Sequence, residues 1–236
     1  MNFLYEPGFD PGAPVLGEKE LQHLKVLRVQ PDEKICITDG RGHLHTSKII
    51  KWEKNRPIIQ VEQTVFVDRK KPELHLAVGI LQSSERMEWM VEKCTELGVH
   101  TISFMITHRC ERTKINLSRL ESSAVSAMKQ SRQAWLPDIT GHVKFEDILK
   151  TTTASKFIAC TEKRNMDHLL NKLNAGHNSL ILVGPEGDFT TDELEAAQKN
   201  GFGSVGLGGN VLRAETAAIS VAHLFQIRQL SNGVSI

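Results

Sequence analysis

The chain has 236 residues, with 29 Lys plus Arg against 28 Asp plus Glu, 40% hydrophobic residues and 6% aromatics. Such a chain fills one or two ordinary domains without covalent staples, which excludes disordered, collagen-like and disulfide-scaffold classes. A net charge of +1 argues against non-specific coating of nucleic acid, which needs a large excess of Lys and Arg, but leaves room for a local basic surface.

The opening MNFLYEPGFD has neither a basic region nor a sustained apolar stretch, so no signal peptide is predicted. An amphipathic helix is expected over Glu18 to Val29. Three segments rich in β-branched residues follow, Lys34 to Thr38, His43 to Trp52 and Pro57 to Val67, separated by turn chemistry at Asp39-Gly40-Arg41-Gly42 and Asn55-Arg56-Pro57. Short strands with no room for crossover helices predict a small antiparallel barrel. The polar link Asp68-Arg69-Lys70-Lys71-Pro72 divides the chain into residues 1–71 and 72–236.

Beyond the link, strands and helices alternate. Strands are predicted at Leu74 to Leu81, Thr101 to Ile106, Lys156 to Cys160, Leu180 to Val183 and Ser204 to Leu207. Helices are predicted at Glu85 to Leu97, Leu117 to Gln133, Met166 to Asn174, Asp192 to Lys199 and Arg213 to Leu230. This α/β alternation predicts a mostly parallel sheet covered by helices. Nothing approaches the ~20 apolar residues of a membrane span. The cysteines Cys36, Cys94, Cys110 and Cys160 lie far apart without zinc spacing and read as reduced thiols, so a cytoplasmic, metal-free protein is expected.

Charge is unevenly spread. Residues 106–132 carry six basic side chains, Arg109, Arg112, Lys114, Arg119, Lys129 and Arg132, against Glu111 and Glu121. Residues 180–217 carry Lys199 and Arg213 against six carboxylates. Solvated helix faces account for either segment, but the basic cluster is also a candidate phosphate-facing surface.

Gly201-Phe-Gly203-Ser-Val-Gly206 fits G-x-G-x-x-G, yet it follows a helix and enters a strand, the reverse of a dinucleotide fingerprint. Gly201 is better read as ending the preceding helix. More informative is Leu180-Ile-Leu-Val-Gly184-Pro185-Glu186-Gly187-Asp188-Phe189-Thr190, a buried strand breaking into a glycine-proline turn. Thr190 and Glu193 then fit a capping box, and capping or dipole compensation accounts for Asp188 as well. A second Gly-rich loop, Leu207 to Leu212, leaves the next strand. Two such loops can wall a pocket lined by main-chain polar groups, which suits a heterocycle. Arg213, at the start of a helix, sits against the dipole preference and is a candidate functional residue, with an ion pair to Glu215 or Glu186 as the alternative.

The run from Leu182 to Ala218, together with Glu85-Arg86-Met87-Glu88-Trp89 and Glu92 to Val99, closely resembles the bacterial 16S ribosomal RNA uridine N3-methyltransferases of the knotted SPOUT superfamily. His23 to Arg28 and Asp39-Gly40-Arg41-Gly42 are similar to that family's start. The chain departs from the family at Ser83-Ser84-Glu85, at Thr107-His108-Arg109-Cys110, and at Ser126 and Lys129. The resemblance implies a PUA-like RNA-binding barrel joined to an α/β domain with a deep trefoil knot, a homodimer, and S-adenosylmethionine as cofactor. Carried over by position, the cofactor lies against Leu182, Gly184, Pro185, Glu186, Gly187, Leu207, Gly208, Val211, Leu212 and Thr216.

The substrate so implied is one uridine, 1498 in the standard numbering of that RNA, in 16S RNA or the assembled small subunit. Loss of its N3 imide proton spreads charge to the flanking carbonyls, where the guanidinium of Arg213 can stabilise it. No proton acceptor is assigned. His23, Arg28, Arg109, Arg112 and Arg132 are the RNA-contact candidates. A ribose 2′-O-methyltransferase on the same scaffold and a non-catalytic ribosome-assembly factor remain alternatives; a nucleotide-dependent oxidoreductase is disfavoured by the misplaced glycine motif.

Overall fold

A computed structural model describes residues 1–161 and 166–230. The described residues separate into two compact units, one of residues 1–69 with 125–136, the other of residues 70–124 with those after 136.

In the first unit, β1 (Asn2–Tyr5), β2 (Lys34–Thr38), β3 (His43–Glu53) and β4 (Arg56–Phe66) form a sheet in that order, with α1 (Glu18–Val26) between β1 and β2 in sequence. The strand β1, which no sequence pattern marked, pairs parallel to β2, while β2, β3 and β4 run antiparallel. The sheet is therefore mixed rather than purely antiparallel. Inward side chains of alternate residues, among them Leu4, Ile35, Ile37, Ile49 and Ile59, close over Leu21 and Leu24 of α1. The β3–β4 turn falls on Lys54 and Asn55, both at positive φ, one residue earlier than the expected Asn55-Arg56-Pro57 turn. Helix α1 ends before the expected Val29 because Arg28 turns left-handed at φ 52 and Val29 N donates to Leu24 O, a Schellman closure.

The break between residues 69 and 70 falls within the expected link, and the first unit also takes in a second segment. Residues 125–136 belong to the first unit because their polar groups are satisfied there. The Lys129 ammonium bonds both Glu20 oxygens at 2.6 and 2.9 Å, Gly42 N donates to Ala134 O, and Trp135 Nε1 donates to Val67 O. A buried carboxylate such as Glu20, 3% exposed, requires such a partner.

In the second unit six parallel strands take the order β10 (Gly203–Val205), β8 (Ser155–Ala159), β9 (Ser179–Val183), β5 (Leu74–Gly79), β6 (Thr101–Ile106) and β7 (Asp138–Lys144). The helices are α2 (Ser84–Glu96), α3 (Leu117–Ser131), which ends in the first unit, α4 (Phe145–Leu149), α5 (Leu169–Lys172), α6 (Thr191–Lys199) and α7 (Ala214–Leu230). All five residues of β9 are buried, as its apolar run demands, and Leu180 and Leu182 meet Phe189, Leu194 and Phe202 in one core cluster. Two elements escaped the sequence. Edge strand β7 reads Asp-Ile-Thr-Gly-His-Val-Lys with alternate residues exposed, so it presents no apolar run, and α4 follows it in barely more than one turn.

Helix α6 begins with the expected capping box, in which Glu193 N donates to Thr190 Oγ1 and Thr190 N donates to Glu193 Oε2. It ends at Gly201, φ 84, with Phe202 N bonded to Ala197 O, so the glycine motif there closes a helix. None of the four cysteines forms a disulfide, and Cys36, Cys94 and Cys160 are buried. Burial pushes the Cys94 thiol up to about 12. No described helix is long and apolar enough to cross a membrane.

Candidate functional site

The strand order places the carboxyl ends of β8, β9 and β10 side by side, beside the point where the chain reverses its progress across the sheet. Ligands of open α/β sheets bind at such crevices. A cavity of about 660 Å³ opens there. Its first wall is the turn Val183 to Glu186 with Asp188; its second is the loop Gly206 to Arg213 leading into Ala214 and Ala217 of α7. The third wall, Ala159 at the end of β8 and Cys160 and Thr161 after it with Met166, was not foreseen.

Local chemistry holds these walls. At Gly184 a Cβ would lie 3.0 Å from Asp188 Cα, so the turn folds back only around a glycine. Asp188 N donates to Pro185 O, and Asp188 itself is left-handed at φ 59. Its carboxylate does not cap α6. One oxygen accepts from Thr161 N at 2.9 Å and Thr161 Oγ1 at 2.6 Å, tying the first and third walls together, and the other accepts from Phe189 N. Glu186 accepts from Gln82 N, and Glu193 from His108 N. Gly208 at φ 148 gives the second loop a conformation that other residues rarely adopt.

Arg109 Nη1 donates to Gly187 O at 2.7 Å and Phe189 O at 3.1 Å, bracing the first loop from outside. Gly79, at the end of β5, faces the turn so closely that a Cβ would fall 2.6 Å from Pro185 N. The ion pairs considered for Arg213 do not form. Glu215 lies 3.7 Å from Arg86 Nε, and Arg213 is exposed with no ion pair among the described residues. Arg213 also stands one position before α7, where its carbonyl accepts from Ala217 N.

The site is thus a mainly apolar slot edged by main-chain donors and acceptors, with the Arg213 guanidinium at its rim making no ion pair among the described residues. Among the described residues no group of three or more His, Cys, Asp or Glu side chains is placed to hold a metal ion. Residues 69–226, well over half of the chain, match the profile of a family described as an RNA methyltransferase domain. The chain belongs to this RNA methyltransferase family.

Residues 16–62 match a second profile, an RNA methyltransferase PUA domain. The Ribosomal RNA small subunit methyltransferase E of Rickettsia conorii is 31% identical over 211 residues, covering 88% of this chain and 85% of that protein. A crystal structure of a probable rRNA-methyltransferase from Porphyromonas gingivalis superposes with a TM-score of 0.88 at 32% identity, over 98% of this chain and 100% of that one. A Neisseria gonorrhoeae Ribosomal RNA small subunit methyltransferase E bound to S-adenosyl methionine superposes with a TM-score of 0.85 at 28% identity, over 96% and 97%.

In this RNA methyltransferase, Gly184, Pro185, Glu186, Leu207, Gly208, Val211, Leu212 and Arg213 line the cavity. Three expected residues do not. Leu182 is sealed inside β9, Gly187 faces the Arg109 stem, and Thr216 is exposed on α7 outside the lining. Of the basic candidates, Arg28 and Arg132 are exposed, both at positive φ, whereas His23 bonds Glu20 at 3.0 Å. Arg112 bonds Lys114 O, Gln82 O and Ser84 Oγ, so like Arg109 it is committed to its own unit.

Proposed function

We propose that this RNA methyltransferase transfers a methyl group from S-adenosylmethionine to N3 of one uridine, that at position 1498, in the RNA of the small ribosomal subunit. The observation that carries this reading is the cavity between the two Gly-rich loops in a chain so similar to methyltransferases of that RNA. Its volume of about 660 Å³ lies in the range of small-molecule sites. Apolar Ala159, Val183 and Leu212 suit an adenine face, and the Gly184 and Gly206 to Gly209 main chain can meet its polar edge. We assign cofactor contact to Gly184, Pro185, Glu186, Leu207, Gly208, Val211 and Leu212.

Bound S-adenosylmethionine supplies an activated methyl group on a sulfonium. The chain's own task is to align the acceptor, keep water out and stabilise charge. The loop walls exclude water, and Arg213 at the rim holds the negative charge on the uracil carbonyls as the imide proton leaves. Arg28 and Arg132 contact the RNA backbone. Residues 1–71, extended by 125–136, form the PUA-like barrel and the rest the SPOUT domain, working as a cytoplasmic homodimer. The strand order favours a trefoil knot: after edge strand β10 the chain returns past the loops of β8 and β9, and α7 packs against β5 and β9.

The deciding experiment is methylation of small subunits and of naked RNA in vitro, followed by nucleoside analysis. The expected product is 3-methyluridine. A 2′-O-methylated nucleoside would support the ribose-modifying alternative, and absence of turnover with RNA still bound would support an assembly factor.

Two further outcomes separate the roles of the arginines. Arg109→Ala should weaken cofactor binding about ten-fold in calorimetry, since two charge-assisted hydrogen bonds to the first loop are worth roughly 1.5–3 kcal/mol each before the loop relaxes. An unchanged cofactor Kd would remove Arg109 from the bracing role. The logarithm of the RNA affinity should fall linearly with log salt, with a slope of about −0.7 per phosphate contacted on a single strand. Arg28→Ala and Arg132→Ala should each reduce that slope by about one contact; a slope indifferent to both would take them out of the interface.

A further inference from the structure

The first unit carries an aromatic surface that the methyl-transfer site does not use. At the end of β4, Val65, Phe66 and Val67 are exposed by 43%, 53% and 36%, a run of three apolar side chains in water. Soluble surfaces rarely keep such a run without a use for it. Phe66 is not isolated. Its ring meets Trp135 edge-on, with centroids 6.0 Å apart, and His43 with centroids 5.0 Å apart. The Arg69 guanidinium lies over the Trp135 ring at 5.4 Å, and the exposed Arg41 bridges to Trp135 through the backbone.

The turn Asp39-Gly40-Arg41-Gly42 builds this surface. A Cβ on Gly42 would come within 2.7 Å of both Phe66 and Trp135, so the rings stand where they do only because that position has no side chain. The Asp39 carboxylate accepts from Arg41 N, His43 N and His43 Nδ1, which fixes the turn and holds its own pKa down. Arg41 is left exposed in this hydrogen-bonded turn. Arg132, three residues before Trp135, is exposed in the same segment.

We propose that Phe66 and Trp135 form a stacking platform for an unpaired RNA base, with Arg41 and Arg69 on the flanking phosphates. The proposal rests on the chain acting on RNA and adds where, outside the methylation pocket, the strand is held. An exposed ring, Phe66, backed by the half-buried Trp135 and flanked by arginines suits single-stranded nucleic acid, because every base offers a π-face and every linkage a charge. The two guanidinium groups beside the rings place positive charge where a polyanion would meet it, which favours a nucleic-acid strand over a neutral apolar partner.

The test uses the full chain and a fluorescein-labelled single-stranded RNA carrying 5-iodouridine. Phe66→Ala is expected to raise the Kd for this RNA roughly ten-fold at unchanged salt slope. Phe66→Leu, which keeps β4 apolar, is expected to behave alike, separating stacking from folding. Arg41→Ala should weaken binding and lower the salt slope by about one contact. Photocrosslinks should map to the peptides carrying Phe66 or Trp135, and cofactor affinity should not change. Wild-type RNA affinity in both Phe66 variants, with crosslinks elsewhere, overturns the platform while leaving the proposed methylation standing. Loss of self-association in those variants without loss of RNA affinity overturns it in favour of a contact between copies. A wild-type chain that neither binds nor methylates RNA removes the underlying reading as well.

Discussion

Arg213→Ala is expected to lower the rate of methyl transfer by two to three orders of magnitude while leaving the cofactor Kd, measured by calorimetry, within about two-fold. The first half rests on what a single preorganised donor aimed at developing charge contributes, about 3–4 kcal/mol of barrier. The second half rests on where Arg213 stands. Its side chain is exposed and has no ion pair among the described residues, and its structural contribution is a carbonyl that accepts from Ala217 N, which alanine retains. A cation just before α7 also opposes the helix dipole, so its removal costs the fold nothing and can stabilise it by ~0.5 kcal/mol. Arg213→Lys should recover only part of the rate, because an ammonium cannot span two carbonyl oxygens as a planar fork does. Wild-type turnover in Arg213→Ala would move the charge-stabilising role to another residue. A loss confined to cofactor affinity would make Arg213 a binding residue instead.

The basic stretch of residues 106–132 illustrates what the sequence could and could not reveal. Six cations against two carboxylates suggested a phosphate-facing surface, yet four of the six have internal duties. Arg109 and Arg112 hold carbonyls, Arg119 pairs with Glu88 at 2.7 Å, and Lys129 neutralises the buried Glu20. Apart from Lys114 O, which Arg112 also holds, their partners lie from about 30 to more than 100 residues away in sequence, a distance across which spacing carries no information. What was legible was local. The capping box of α6 is written within four residues, its glycine ending within two, and the buried strands β6 and β9 announce themselves as apolar runs. Two walls of the cavity followed from such local signals and from the resemblance. The third did not, because the residues after β8 reach the site only through strand order, and the Asp188 to Thr161 bond that fixes them joins residues 27 apart.

Gly79→Ala is the substitution expected to damage the cofactor pocket most without touching its lining. A methyl group at that position would sit 2.6 Å from both Pro185 Cδ and Pro185 N and 3.1 Å from Pro185 Cβ. Neither obstacle is a flexible side-chain end: one is backbone and the other a ring, and β5 is pinned between β6 and β9. The turn must therefore shift, carrying Gly184 and Glu186 away from the cavity and straining the Asp188 bonds to Thr161. Overpacking of this kind costs ~1–3 kcal/mol of stability, and a shifted loop should weaken cofactor binding by at least ten-fold. Gly8→Ala provides the contrast, since nothing lies within 4 Å of its added methyl group and its φ is not left-handed; it should stay within ~0.5 kcal/mol of the parent. The comparison needs thermal unfolding with and without S-adenosylmethionine. Gly79→Ala should lose about half or more of the ligand-induced rise in Tm at a ligand concentration ~100 times the parental Kd, as well as part of its intrinsic Tm, because ligand stabilisation scales with the logarithm of ligand concentration over Kd. A Gly79→Ala protein that melts at the parental temperature and gains the parental shift would show that the turn does not depend on the close approach of β5 and Pro185.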